Sequence, residues 1–296
     1  MIHIKRAEKQ SETEIARFIA RVNKLKNHHI GYCGTDEEEI LHYLKEEMTD
    51  IPFQDCFLLA YEDDSLIGVI GFEADLDNHH GEIWGPLITH DDWQGIAKNM
   101  WNDLIKMIPS EMDSVSLFVN KLNVNVNEFS RALSCAFNEK TDRHTILLYQ
   151  KEVNGVPEKV PFITEITETE YSTMIKIHDI AFPKGYYDGE KIVQRMNDDN
   201  RVFVYKENDT VIGYIYVESQ PLFGEGSIEF FAVNEGWRGR GIGKKLLQHA
   251  LHWLLSKDFI EEIRLTVNSE NSQAIHLYQA VGFTVENELN FYEVKF

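Results

Sequence analysis

Ser65-Leu-Ile-Gly-Val-Ile-Gly-Phe-Glu73 lies over Thr210-Val-Ile-Gly-Tyr-Ile-Tyr-Val-Glu218 without a gap, at an offset of 145 residues. At the same offset Gly81-Glu-Ile83 meets Gly226-Ser-Ile228. With one residue inserted, Gly95-Ile-Ala-Lys98 meets Gly241-Ile-Gly-Lys244. Leu117-Phe-Val-Asn120 then meets Leu265-Thr-Val-Asn268, and Ala136-Phe137 meets Gly282-Phe283. Matches that keep one order and a nearly constant spacing mark an internal duplication. The chain therefore reads as two tandem domains, residues 1–150 and 162–296, joined by a linker over 151–161 where two prolines, a glycine and charges interrupt regular structure.

Composition narrows the function. The 296 residues are 43% apolar and 26% charged, ordinary for a globular protein. Lys and Arg number 29 against 49 for Asp and Glu, a formal net charge of -20. Duplex binding is not expected of such a surface, because it draws its affinity from basic side chains that neutralise phosphates. A cationic small molecule suits that field better. Cys33, Cys56 and Cys135 are far apart and form no C-x-x-C pair, which reads as a reducing compartment without a disulfide frame or thiolate zinc site. The adjacent pairs His28-His29 and His79-His80 diverge in regular structure, so no metal is expected. The charged N-terminus and the lack of a long apolar run read as a cytoplasmic protein with no membrane span.

Within the second half, residues 201–206 and 210–218 are β-branched and aromatic runs joined by Glu-Asn-Asp, a hairpin pattern. Gly226 to Val233 is a further strand, and Ile242, Leu246, Leu247, Ala250, Leu251, Leu254 and Leu255 form one helical stripe. Ile263 to Val267 reads as a strand, Ser272 to Val281 as a helix, and Phe283 to Phe296 as two strands; Glu168 to Phe182 and Tyr186 to Met196 read as helices. The fold class is α/β (α+β), with each domain a mixed central sheet flanked by helices.

The sharpest local signal is Trp237-Arg-Gly-Arg-Gly-Ile-Gly-Lys-Lys245, set between a strand and that amphipathic helix. Glycines permit positive φ and close approach of a ligand to the backbone. The first-turn N–H groups and the positive end of the helix dipole then suit a phosphate or pyrophosphate. Arg238, Arg240 and Lys244 add charge. The dinucleotide fingerprint fails because its third glycine is Lys244, and the P-loop fails because the spacing is one residue short and Lys245 replaces the metal-binding hydroxyl.

Arg238-Gly-Arg-Gly-Ile-Gly243 resembles the pyrophosphate loop of the GNAT superfamily of coenzyme A-dependent N-acetyltransferases, and Asn271-Ser-Gln-Ala-Ile-His-Leu-Tyr-Gln-Ala-Val-Gly-Phe283 resembles its next block. The resemblance implies two tandem GNAT-like domains, with acetyl-coenzyme A as cofactor held by Arg238, Gly239, Arg240, Gly241, Ile242, Gly243 and Lys244. It places the pantetheine arm against the main chain of Phe231 and Val233 and gives Asn271 a cofactor contact. Tyr278, seven residues from Asn271 and so on the same side of a helix, takes the role of general acid on the thiolate; the alternative is a buried aromatic. Glu229 is the candidate base. In some members the base stands two residues earlier, here Ser227, and Glu218 and Glu225 are further candidates.

The implied activity is acetyl transfer to a primary amine of a small molecule or peptide. The alternative is a non-catalytic acyl-coenzyme A binding or sensor protein. The first half keeps Gly95 and Ala97 but has Asp92 where the family places Arg or Gln, and Asn127 to Ala136 lacks a Leu-Tyr pair, so it reads as a degenerate copy without turnover. Retained coenzyme A binding there is the other reading. Residues 11–50, 168–198 and the linker are expected to shape the acceptor pocket.

Overall fold

A computed structural model of the chain describes residues 1–48, 50–133, 137, 142–183 and 185–296; Cys135 and Ala136, used above in the cysteine count, the repeat and the last helix of the first half, lie outside them. The first copy runs β1 (Ile2–Arg6), α1 (Glu12–Asn23), α2 (Glu37–His42), β2 (Phe57–Glu62), β3 (Ser65–Asp75), β4 (His80–Ile88), α3 (Trp93–Leu104), β5 (Ser114–Asn120), α4 (Val124–Ala132) and β6 (Arg143–Gln150). A helical turn, α5 (Lys151–Asn154), follows within the expected linker. The second copy runs β7 (Ile163–Glu165), α6 (Tyr171–Ala181), α7 (Gly189–Arg195), β8 (Asn200–Glu207), β9 (Thr210–Gln220), β10 (Glu225–Val233), α8 (Ile242–Leu255), β11 (Glu262–Asn268), α9 (Ser272–Gln279) and β12 (Thr284–Lys295). Apart from α5, the two copies match element for element.

The compact units are cut differently from the linear repeats. One comprises residues 1–144 with 288–296, the other residues 145–287. In the first unit the strand order is β1-β2-β3-β4-β5-β12, where Leu289 to Lys295 pair antiparallel with Asn120 to Ser114. In the second the order is β6-β11-β10-β9-β8-β7. Each unit thus receives the last strand of the other copy. Composition at residues 151–161 marks a break in regular structure, but it carries no information on which sheet a strand joins. The two strands expected over Phe283 to Phe296 are one continuous strand.

Both sheets are mixed: β4 with β5, and β10 with β11, run parallel, while β1 through β4 and β7 through β10 run antiparallel to their neighbours. Alternation along β8 explains how the second sheet is covered on both faces. Phe203 packs with Leu246, Leu247, Ala250 and Leu251 of α8, whereas Val202 and Val204 pack with Met174 and Ile177 of α6 and Ile192 of α7. The hairpin between β8 and β9 turns on Asn208 and Asp209, both at positive φ, as such two-residue turns require. Among the described residues no helix is long and apolar enough to cross a membrane.

Candidate functional site

In the second unit β10 stays with β11 only over Glu225–Ser227, opposite Glu262–Arg264. Beyond Ser227 it keeps β9 alone, and a register shift between Ile228 and Phe230 leaves Glu229 in a β-bulge. The strands separate here, and a cavity of about 640 Å³ opens in the gap. Glu229, Phe231, Val233, Arg238, Gly239, Gly241, Ile242, Gly243, Lys244, Asn271 and Tyr278 all line it. Of the residues expected to hold the cofactor, Arg240 does not: its guanidinium lies 4.6 Å from the Trp237 ring and donates to the Gly236 carbonyl.

The loop before α8 is built for backbone exposure. Gly239 and Gly241 sit at φ +77° and +76°, and a Cβ at either would meet nothing within 4 Å. Their glycines therefore answer to left-handed backbone rather than crowding. Gly241 is the N-cap of α8, so the first-turn N–H groups face the cavity end where Arg238 and Lys244 stand. Among the described residues neither cation has a carboxylate partner, although Arg195, Arg201, Lys206, Lys257 and Arg264 all do. In a protein this acidic, cations without carboxylate partners among the described residues, set beside a helix N-terminus, suit an anion. Arg238 Nε donates to the Val233 carbonyl at 3.0 Å, tying the loop to the free edge of β10.

At the far wall, Asn271 caps α9, its side chain accepting from the Ala274 N–H at 3.1 Å. Tyr278 lies two turns on and faces the same cavity. Its ring is 7% exposed and is held edge-on by Phe231 and Phe283 at 5.9 and 5.8 Å. Its hydroxyl has no hydrogen-bond partner among the described residues, and burial pushes its phenol well above the ordinary range.

The candidate bases separate by their partners. Glu218 is clasped by Arg195 through two contacts of 3.1 Å and receives the Tyr216 hydroxyl. Glu225 is paired with Arg264. Glu229, half-buried on the bulge, receives the Tyr186 hydroxyl and alone of the three lines the cavity. Burial raises its pKa, with Glu218 adding repulsion, while hydrogen bonds from Ser227 and Tyr186 and the charge of Arg195 act the other way. Ser227 thus supports the carboxylate. Tyr186 went unnoticed in the sequence, where Tyr186-Tyr187 between two short helices was the available signal.

The first unit repeats the geometry with other chemistry. β4 leaves β5 after Glu82, and α3 follows as α8 does. Its N-cap is Asp92, whose carboxylate accepts from the Gly95 N–H at 3.2 Å and occupies the position an anion would take. Aligning the capping Asn123 of α4 with Asn271 brings Ser130, fully buried, to the place of Tyr278. Glu82 aligns with Ser227; burial and the neighbouring Glu73 push its carboxyl up to about 8, and its Oε1 has no hydrogen-bond partner among the described residues. No group of three or more His, Cys, Asp or Glu among the described residues is placed to hold a metal ion.

Residues 171–283 match the acetyltransferase (GNAT) family. The chain is 29% identical over 134 residues to an N-alpha-acetyltransferase of Sulfurisphaera tokodaii, covering 42% of this chain and 80% of that one. It is 24% identical over 139 residues to the spermine/spermidine N(1)-acetyltransferase of Bacillus subtilis, covering 44% and 91%. Over 99% of its length it shares the fold of a GCN5-related N-acetyltransferase from Sphaerobacter thermophilus, with TM-score 0.73, 16% identity and 95% of that chain covered. A tandem GNAT protein from the clavulanic acid biosynthesis pathway aligns over 100% of this chain and 98% of its own, with TM-score 0.64 and 11% identity.

Proposed function

Since the second half of the chain carries a GNAT domain in a tandem GNAT fold, the protein is an N-acetyltransferase that uses acetyl-coenzyme A, and we propose that its second unit acetylates a primary amine of a small molecule or peptide. The observation that carries this reading is the convergence of an anion loop, a proton acceptor and a proton donor on one cleft where β10 parts from β11.

The residues present suit the cofactor. Arg238, Lys244 and the first-turn N–H groups of α8 would hold its pyrophosphate, and the free edge of β10 at Phe231 and Val233 would take its pantetheine arm as an added strand. When bound, acetyl-coenzyme A supplies an acetyl thioester and a thiolate leaving group. Glu229 takes a proton from the acceptor ammonium, because only the neutral amine has a lone pair for the thioester carbonyl. A raised carboxyl suits that task, bringing the base nearer the pH at which it works. Tyr278, kept protonated by burial, gives its proton to the departing sulfur. Asn271 orients the helix that carries Tyr278 and borders the same cavity.

The first unit is a degenerate copy in this reading. Asp92 sets a negative charge where the phosphates would lie, and Ser130 leaves no phenol near the sulfur. The testing experiment measures free thiol released from acetyl-coenzyme A across a panel of amines. Thiol release with at least one primary amine is expected. Tight cofactor binding with no release from any amine would leave an acyl-coenzyme A binding or sensor protein.

A further inference from the structure

Phe182 and Phe230 line the cleft, and the connection between α6 and α7 lays Tyr186 and Tyr187 against Phe230. The Phe230 ring meets Phe182 at 5.1 Å and Tyr186 at 4.7 Å, and Tyr187 stands 4.7 Å from Tyr186. His178 fixes the connection from beneath, one ring nitrogen 2.8 Å from the Tyr187 carbonyl and the other 2.5 Å from the Tyr214 hydroxyl. Yet Tyr186 remains 61% exposed, so folding leaves much of its ring open to solvent.

Among the cleft residues Ala181, Phe182, Glu229 and Phe230, only Glu229 is charged. The nearby Glu218 is neutralised by Arg195, which also stacks 4.5 Å over Tyr187, and Asp179 receives the Gly189 N–H. The site thus offers one carboxylate inside an aromatic wall. A chain with several spaced ammonium groups would find one partner here and press its other charges against rings and methylenes. A single ammonium on an apolar body pairs with the carboxylate and lays its alkyl or aryl part on the rings.

From this arrangement we infer that Tyr186 is a positioning and specificity-determining residue: its hydroxyl aims the Glu229 carboxylate into the cleft, and its ring, with Phe182 and Phe230, selects alkyl or arylalkyl monoamines over polyamines. The inference rests on the assignment of Glu229 as proton acceptor. Since the Tyr186 hydrogen bond favours the ionised carboxylate, its loss raises the carboxyl's pKa and moves the acid limb of the pH profile upward. Glu218, Arg195 and Tyr187 also face this carboxylate and stay in place when the hydroxyl is removed.

The test compares the full chain with Tyr186→Phe, Tyr186→Ala and Glu229→Gln, using phenethylamine, hexylamine and spermidine. Calorimetry on protein saturated with coenzyme A reads selectivity without turnover, and thiol release reads kcat, KM and their pH profiles. The monoamines are expected to bind more tightly than spermidine. Tyr186→Phe should keep KM and lower kcat about tenfold, the weight of a hydrogen bond to a charged group, with the acid limb displaced to higher pH. Tyr186→Ala should also weaken monoamine binding about three- to tenfold, as loss of an aromatic contact does. Tighter binding of spermidine overturns the selectivity, and an unmoved acid limb with unchanged kcat in Tyr186→Phe overturns the positioning role. Glu229→Gln keeps the two readings apart. If it is inactive while both Tyr186 variants behave as wild type, only the Tyr186 inference fails; if it is fully active, the base assignment falls first.

Discussion

Replacing Tyr278 by Phe separates a catalytic phenol from a packing aromatic, because the structure assigns opposite costs to the two. The ring keeps its contacts with Phe231 and Phe283 in the variant, and the hydroxyl that is lost has no hydrogen-bond partner among the described residues. A made hydrogen bond contributes about 1 kcal/mol net, so removing an unmade one should change unfolding free energy by less than about 0.5 kcal/mol. Cofactor affinity should also hold, since the pyrophosphate loop is untouched. Turnover should fall about 10²- to 10⁴-fold, the usual weight of a positioned general acid, equivalent to about 3 to 5 kcal/mol of barrier. Thiol release measured where chemistry limits the rate, calorimetric titration with coenzyme A and denaturant unfolding supply the three readouts. A rate within twofold of wild type would return Tyr278 to the core. A stability loss above about 1 kcal/mol would show that its hydroxyl is structurally engaged.

Three further perturbations probe the remaining assignments. Arg238→Glu exchanges a cation that has no carboxylate partner among the described residues for an anion at the α8 N-terminus, so coenzyme A affinity should fall at least about tenfold while the melting temperature holds; unchanged affinity in calorimetry removes the loop from the site. Glu82→Gln should stabilise the first unit at high pH. Its folded carboxyl titrates at about 8 against an ordinary 4.5, so the native state loses stability as pH climbs between those values, and the glutamine advantage grows from near zero at acid pH towards a ceiling of about 5 kcal/mol above pH 8. Unfolding curves of equal midpoint difference at acid and alkaline pH would contradict this. An Arg238→Glu, Tyr278→Phe double variant should lose turnover, whereas Asp92→Lys should retain it; the reverse pattern in folded proteins would assign the working copy to the first unit.

Much of this was legible in the chain because the signals were local. The hairpin at Asn208-Asp209, the stripe from Ile242 to Leu255 and the glycine loop each depend on a few consecutive residues, and the elements fall within a few residues of their expected bounds. Tyr278 and Asn271 come together because seven residues on a helix are nearly two turns. Arg240 does not line the cavity because a cation in a loop can fold back on its own neighbours, and Trp237 is the neighbour it finds. The Tyr186 contact with Glu229 spans 43 residues of chain. Neither residue belongs to a spaced motif, so only the folded connection between α6 and α7 brings them together.

The exchange of last strands was the least legible feature. β6 and β12 each carry alternating patterns that suit the edge of either sheet, so local sequence does not choose between them. Yet the register of Leu289 to Lys295 against Asn120 to Ser114 makes the C-terminus of the chain part of the first unit. A cut at the linker would leave each sheet short of its completing strand, because residues 145–150 belong to the second unit and residues 288–296 to the first. Asp92 and Ser130 meet what the scaffold asks at their positions, a helix cap and a small buried side chain. Asp92 meets the first demand better than an arginine would, by accepting the very N–H that a phosphate would otherwise take. The carboxylate that starts α3 thus sets a negative charge at the helix end where a second anion would be repelled.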